Sequence, residues 1–271
     1  MNKIRQMIFN AQMAAKSLVI YRNLLKDNIV KKFTRLLENA LKAELDAELI
    51  STYHDFFSSL VKKEEASEGP FVGNIWQDYL LNLIAIDENP FSLRCEKVDP
   101  AGVNQHLIKL TKRDLTYLKI LYDFNFPAFT SLIQEKCKDA IDFPIMYTTY
   151  TDASLPYPQS YFKQKQKIKI LLSNSSSWAE NIIDLAKFSR DNGCGKFAQY
   201  WAFKWIDTER GGKLVGIPNP DPNRLQDLIG CEEQKKEVLR NTRQFIKGLG
   251  ANNMLLYGDR GTGKSSTIKA L

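Results

Sequence analysis

From residue 1 to about residue 63 the apolar positions fall three and four apart, with Ile29, Phe33, Leu36, Leu37, Ala40 and Leu41 as the clearest stripe and lysines and glutamates between them. That spacing gives a 3.6-residue period one apolar face and predicts two or more amphipathic helices. The stripe never settles into a strict heptad, which favours packing inside a domain; a partner-binding coiled coil is the alternative use of these helices. Residues 64–70 are polar, end in Gly-Pro and read as a loop. A further helix carries Ile75, Trp76, Tyr79, Leu80, Leu83 and Ile84 and stops at Asp87, Glu88, Asn89 and Pro90. Another carries Leu107, Leu110, Leu115, Leu118, Leu121 and Phe124, and the next Phe129, Leu132, Ile133 and Cys137. These stripes read as core, with no polar constellation that points to catalysis.

The pattern changes between residues 143 and 172. Prolines at 144, 156 and 158 among β-branched residues and tyrosines predict a loop with a short hairpin. Its basic run, Lys163, Lys165, Lys167 and Lys169, reads as a solvated strand edge or loop, with nucleic-acid binding as the alternative. Ser177 with Glu180 forms a candidate capping box for a helix through Trp178, Ile182, Leu185 and Ala186 to about Arg190, closed by Asp191, Asn192 and Gly193. Phe197, Tyr200, Trp201, Phe203 and Trp205 read as an apolar plug joining two modules; a stacking platform for bases is the alternative. Gly211, Gly212 and Gly216 with the prolines at 218, 220 and 222 read as the clearest linker. A helix is expected from about Glu232 to Leu249, its apolar face made by Val238, Leu239, Thr242, Phe245, Ile246 and Leu249.

Residues 253–257 form a short apolar run that reads as a strand and ends at Gly258. Asp259, Arg260, Gly261, Thr262, Gly263, Lys264 and Ser265 follow, completing the spacing G-x-x-x-x-G-K-[ST], with Ser266 in a helix-compatible tail. Wrapping backbone N–H groups around a phosphate needs positive φ and close approach, which glycine permits. A helix start adds unpaired N–H groups and a positive dipole end. Lys264 is expected to reach the β and γ phosphates of ATP, and the Ser265 hydroxyl to ligate Mg²⁺. Hydrolysis also needs an acidic residue on a later strand and a group that orients the attacking water. No such strand follows the loop in these residues, so the chain is expected to be the N-terminal portion of a nucleotide-binding protein, binding ATP without a full hydrolytic set.

Composition narrows the setting. A net charge of +7 and a pI near 9.1 allow a polyanionic partner without requiring one, because acidic residues are interleaved with the basic ones. Cys95, Cys137, Cys194 and Cys231 are widely spaced, which argues against a zinc site or a disulfide framework and for a reducing cytosol. His54 and His106 read as structural or exposed. The first residues lack the pattern of an export signal and no run is long enough for a membrane span, so a soluble cytoplasmic protein is expected.

Asp227, Leu228, Ile229 and Gly230, then a helix, an apolar strand and the loop 258–265, resemble the opening of an AAA+ ATPase module. More closely, residues 219–271, preceded by Gly195, Lys196, Phe197, Ala198, Gln199, Tyr200, Trp201, Ala202, Phe203, Lys204 and Trp205, resemble a bacterial family of ATP-binding proteins. That family is known as a domain of unknown function with an AAA+ core, and the likeness runs from about Gly193 onward. It implies adenine against Leu228, Ile229 and Gly230, phosphates on residues 258–266, ATP and Mg²⁺ as cofactors, and homo-oligomers of the full-length protein. The P-loop strand of that fold lies inside a parallel sheet. Without neighbours, residues 254–257 would be an unpaired apolar edge, so ATP affinity is expected to be weak and residues after about Asn223 poorly ordered. The expected fold class is a mainly α N-terminal domain over 1–215, a proline-rich linker over 216–223, and the start of an α/β P-loop, AAA+-like parallel-sheet module over 224–271. Two other functions stay open: a helical protein-interaction module with a vestigial P-loop segment, and a nucleic-acid binder using residues 163–169.

Overall fold

A computed structural model of the chain describes residues 2–42, 47–65, 71–136, 142–146, 159–200, 202–209, 211–217 and 220–271. Several expectations lie wholly or partly outside these: most of the loop at 64–70, Cys137, most of the proline-rich stretch at 143–158, Trp201, and Pro218 and Asn219 of the linker. The chain is mainly α and divides into two compact units, Met1–Trp201 and Ala202–Leu271. The proline-rich stretch expected to be a linker thus falls within the second unit.

In the first unit α1 (Asn2–Lys16), α2 (Asn28–Leu41) and α3 (Ala47–Glu65) realise the first amphipathic stripes. Asp27 caps α2 by accepting from the backbone N–H groups of Ile29 and Val30. α4 (Ile75–Ile86) opens with a reciprocal capping box between Asn74 and Gln77. α5 (Pro90–Cys95) begins with proline at its first turn and Asn89 as cap, so the polar group at 87–90 both ends one helix and starts the next. α6 (Gln105–Tyr122) and α7 (Phe126–Lys136) follow. Their apolar faces converge on rings: Phe33 lies 4.4 Å from Trp76 and 5.3 Å from Phe124, and Phe56 lies 5.9 Å from Phe126, centroid to centroid. The Trp76 indole N–H donates to the Leu121 carbonyl at 2.9 Å, so this core ring brings no unsatisfied donor with it.

Three buried aspartates hold the turns between these helices. Asp114, on α6, accepts through one oxygen from the backbone N–H groups of Val19, Ile20 and Tyr21 at 2.8, 2.6 and 3.1 Å. Asp78, on α4, accepts from the Val72 N–H and from Asn82. Asp87 accepts from Asn89, whose own oxygen caps α5. Cys95 and Cys194 are buried, and burial pushes their thiols up to about 11 and about 12, so they pack as small apolar groups. His54 hydrogen-bonds the Ile50 carbonyl through its ring, and His106 is exposed.

The structure corrects the sequence in the next stretch. Residues placed in a loop or hairpin form α8 (Gln159–Asn174), followed by α9 (Ile182–Asn192). Lys-Gln-Lys-Gln-Lys-Ile-Lys-Ile alternates with period two and imitates an edge strand, but the buried positions, Ile168, Lys169 and Leu172, share a helix face. The capping box at Ser177 and Glu180 is also not formed. Residues 178–181 make turns, α9 starts after Asn181, and the Ser177 N–H bonds the Ser175 hydroxyl instead. Gly193, at φ 74°, closes α9 as expected.

The second unit opens with an antiparallel hairpin of β1 (Phe203–Thr208) and β2 (Gly211–Gly216), with Trp205 opposite Leu214 and Asp207 opposite Gly212. The glycines read as linker are therefore strand residues. Phe197, in the first unit, and Trp205 are both 61% exposed, so neither ring is buried in a plug. Gly212 carries no side chain because the Trp205 indole occupies the space a Cβ would fill. α10 (Glu232–Ile246) and α11 (Lys264–Lys269) complete the unit. α10 ends three residues before the expected Leu249, where the backbone turns through Gly248 at φ 69°. Among the described residues the only sheet is this hairpin, and 253–257 belong to no strand. A strand exists only where its N–H and C=O groups find a ladder partner, and this segment has none there.

Candidate phosphate-binding loop

Residues 258–263 make a tight reversal between the apolar segment and α11. Gly258, Gly261 and Gly263 stand at φ 140°, 86° and 82°, in the region that penalises any residue with a Cβ. The requirement is conformational: a Cβ at Gly261 or Gly263 would meet nothing within 4 Å, and one at Gly258 only the Thr262 hydroxyl at 3.7 Å.

The lysine of the motif closes this reversal. Lys264 Nζ donates to the Gly258 carbonyl at 2.9 Å, to the Asp259 carbonyl at 2.6 Å and to Thr262 Oγ1 at 3.2 Å, using all three ammonium hydrogens within the loop. The Thr262 hydroxyl donates to the Asp259 carbonyl at 2.9 Å. At the start of α11 the first intrahelical bond runs from Thr267 N–H to the Gly263 carbonyl at 2.8 Å, reinforced by the Thr267 hydroxyl at 2.9 Å. The N–H groups of Lys264, Ser265 and Ser266 precede that bond and have no acceptor in the helix itself. Ser265 is exposed and Ser266 half-buried, while Asp259 and Arg260 face solvent. Unpaired backbone donors thus stand at the start of α11, next to a loop whose carbonyls hold the Lys264 ammonium.

The turn expected to meet adenine is built separately. Gly230 at φ 83° and Cys231 at φ 55° place two successive left-handed residues before α10, and Lys235 Nζ reaches back to the Leu228 carbonyl at 2.5 Å. Leu228 is half-buried and Ile229 fully exposed. Among the described residues, 258–266 form one continuous loop and helix start, and no hydrogen bond or ion pair joins them to the turn at 228–230.

Two links the sequence reading missed hold the loop's flanks. Asn241, on α10, exchanges a pair of hydrogen bonds with the backbone of Asn252, at 2.8 and 2.9 Å, fixing where the apolar segment starts. Lys269, on α11, pairs with Asp221 at 3.2 Å. The Asn223 N–H and Lys269 together hold the exposed Asp221 carboxyl below its ordinary range. Neither spacing carries a sequence signal, because both join residues through the path of the chain. A groove on α10 lined by Lys236, Arg240, Arg243 and Lys247 includes no loop residue. Among the described residues no cluster of His, Cys, Asp and Glu could hold a metal ion, and no helix is long and apolar enough to cross a membrane.

The part of the chain carrying hairpin, turn and loop is similar to a catalogued family. Residues 198–271 match the family model described as protein of unknown function DUF815. No curated protein and no solved structure matches the chain.

Proposed function

We propose that the second unit is an ATP-binding element of the AAA+ P-loop type, taking the triphosphate of Mg-ATP on residues 258–266. The observation that carries this reading is the loop itself: three glycines at positive φ and Lys264 folded over the loop carbonyls at the entrance to a helix. In this reading a phosphate replaces the loop carbonyls as partner of the Lys264 ammonium and accepts from the N–H groups of Lys264, Ser265 and Ser266. Ser265, exposed at the first turn of α11, would offer its hydroxyl to Mg²⁺. Leu228, Ile229 and Gly230 would meet the base, and the family match supports treating them and the loop as parts of one segment.

The proposal is confined to binding. Turnover needs a carboxylate on a neighbouring strand for Mg²⁺ and a group that orients water, and among the described residues no strand leads into or follows the loop. Affinity is expected to be modest, weaker than roughly 100 μM, because the base meets an exposed turn and the apolar segment beside the loop is bare: Leu255 is 84% and Tyr257 87% exposed.

The test is calorimetric titration of the chain with Mg-ATP, beside Lys264→Ala. Binding that is lost in the variant supports the reading; binding that survives it unchanged puts the nucleotide elsewhere. Hydrogen exchange at residues 258–268, measured with and without Mg-ATP, reports the same event: slower exchange is expected there, and its absence at saturating nucleotide would refute the assignment.

A further inference from the structure

Charge is shared unevenly between the two ends of α10. Its acids, Glu232, Glu233 and Glu237, lie in the first two turns, and no acidic residue stands between Glu237 and Asp259. Lys236, Arg240, Arg243 and Lys247 follow one another at helical spacing, which puts them along one face. Glu233 pairs with Lys236 at 2.9 Å and Glu237 with Arg240 at 2.7 Å. Arg243 and Lys247 are exposed, and among the described residues neither side chain makes an ion pair.

The same face is hollowed and carries leucines. At Gly248, φ 69°, the chain reverses, and the Leu249 N–H bonds the Gln244 carbonyl at 3.0 Å, which brings Leu249 back to the last turn. Leu239 and Leu249 then line, with the four cations, a groove of about 330 Å³. Leu239 is half-buried and Leu249 59% exposed, so apolar surface stays open beside two cations without carboxylates.

We propose that this groove docks an acidic segment of a partner protein, with carboxylates on Arg243 and Lys247 and one aliphatic side chain on Leu239 and Leu249. The cations set the sign of the partner's charge and the leucines set its class. A nucleic acid would meet the cations through phosphates but would lay sugars and phosphates against the leucines, and no aromatic ring lines the groove for a base to stack on. An acidic peptide with an apolar anchor satisfies both. Arg243 offers a planar fork that takes a carboxylate in two parallel hydrogen bonds. No residue of 258–266 lines the groove, so the proposal stands without the nucleotide reading.

The experiment is fluorescence anisotropy of the full chain with a labelled probe peptide of glutamates and aspartates around a single leucine, beside the same peptide with serine in place of leucine. The leucine peptide is expected to bind ~10-fold or more tightly than the serine one, the share that burying one leucine carries, and to weaken as salt is raised. Arg243→Gln combined with Lys247→Gln, which removes the two unpaired cations, should weaken it ~10-fold. Hydrogen exchange in the wild-type chain should slow at residues 236–249 when the peptide binds, a readout independent of how the variant folds. Equal affinity for the two peptides, unchanged binding in the double variant, or no slowing at 236–249 overturns the proposal. So does a mixed-sequence RNA of equal charge, or a phosphatidylserine vesicle, that binds more tightly than the leucine peptide and loses that binding in the double variant.

Discussion

Replacing Asp114 by alanine isolates the interaction that pins the end of α1 to α6. The carboxylate is fully buried and one oxygen receives three backbone N–H groups, two of them from the buried residues Ile20 and Tyr21. Val19 is half exposed, so its N–H regains water when the acceptor goes. The other two do not, and each stranded donor costs about 1–3 kcal/mol, with the upper part of the range fitting bonds to a charged acceptor. Opposing this, the second Asp114 oxygen has no hydrogen-bond partner and stands 3.7 Å from Arg113, so removal recovers part of a desolvation cost. Two buried donors outweigh one poorly served oxygen, and the net loss is expected at about 3–4 kcal/mol, a large share of a typical domain's 5–15 kcal/mol. Asp114→Asn keeps an acceptor without the charge and should lose about half as much. Urea unfolding at neutral pH, followed by the helical circular dichroism signal, measures both, and hydrogen exchange at residues 19–21 localises the change. Asp114→Asn as stable as the wild type, or alanine within ~1 kcal/mol of it, would refute the reasoning by showing that desolvation dominates.

Asp87 gives a pH signature. Burial first, then the neighbouring Glu88, raises its carboxyl from 3.8 to about 6, against the Asn89 hydrogen bond and Lys26. A folded pKa above the unfolded one contributes stability that is present below about pH 4 and lost as pH rises through about 6. The two-unit shift corresponds to about 3 kcal/mol. The stability of the wild type relative to Asp87→Asn should therefore fall between pH 4 and 7, and a flat difference would be evidence against it. In the hairpin, Gly212→Val should drive the Trp205 indole off β2 at a cost of about 1 kcal/mol in local pairing. Upfield-shifted Gly212 α-protons in the wild type, lost in Trp205→Ala, are the NMR check, and unshifted protons in the wild type would contradict the packing.

The longer helices through α7 were legible because their apolar faces repeat at helical spacing, and the polar group at 87–90 marked the end of α4; α5 was missed because Asn89 and Pro90 read as a stop and six residues are too few to show an apolar period. The glycine-rich turn of the candidate loop was legible because its signal is equally local, since its glycines, Lys264 and Ser265 form one continuous segment. What stayed hidden depends on partners far along the chain. Whether Lys163 to Lys169 lie on a strand or a helix is decided by Asp78 and the core waiting for Ile168 and Leu172, and a period-two alternation of lysine and glutamine gives no hint of them. The hairpin was missed because Gly211, Gly212 and Gly216 read as slack, whereas the missing side chain at 212 makes room for a tryptophan on the opposite strand. Residues 253–257 show the converse. Their composition fits a strand, yet pairing is a property of two segments, and composition describes one.

The way Lys264 is held has a consequence for selectivity. Its ammonium is already solvated by the loop's own oxygens, so under the proposed function an incoming anion would enter by exchange: every ion–phosphate attraction formed would be set against an ion–dipole attraction given up. A singly charged anion benefits little from that exchange. A polyphosphate, with several charges spread over adjacent oxygens, can displace the carbonyls together while also satisfying the amides behind them. On that proposal, discrimination at the loop would come from the number and spacing of negative charges in the ligand, with cavity shape adding little beside the exposed Ile229.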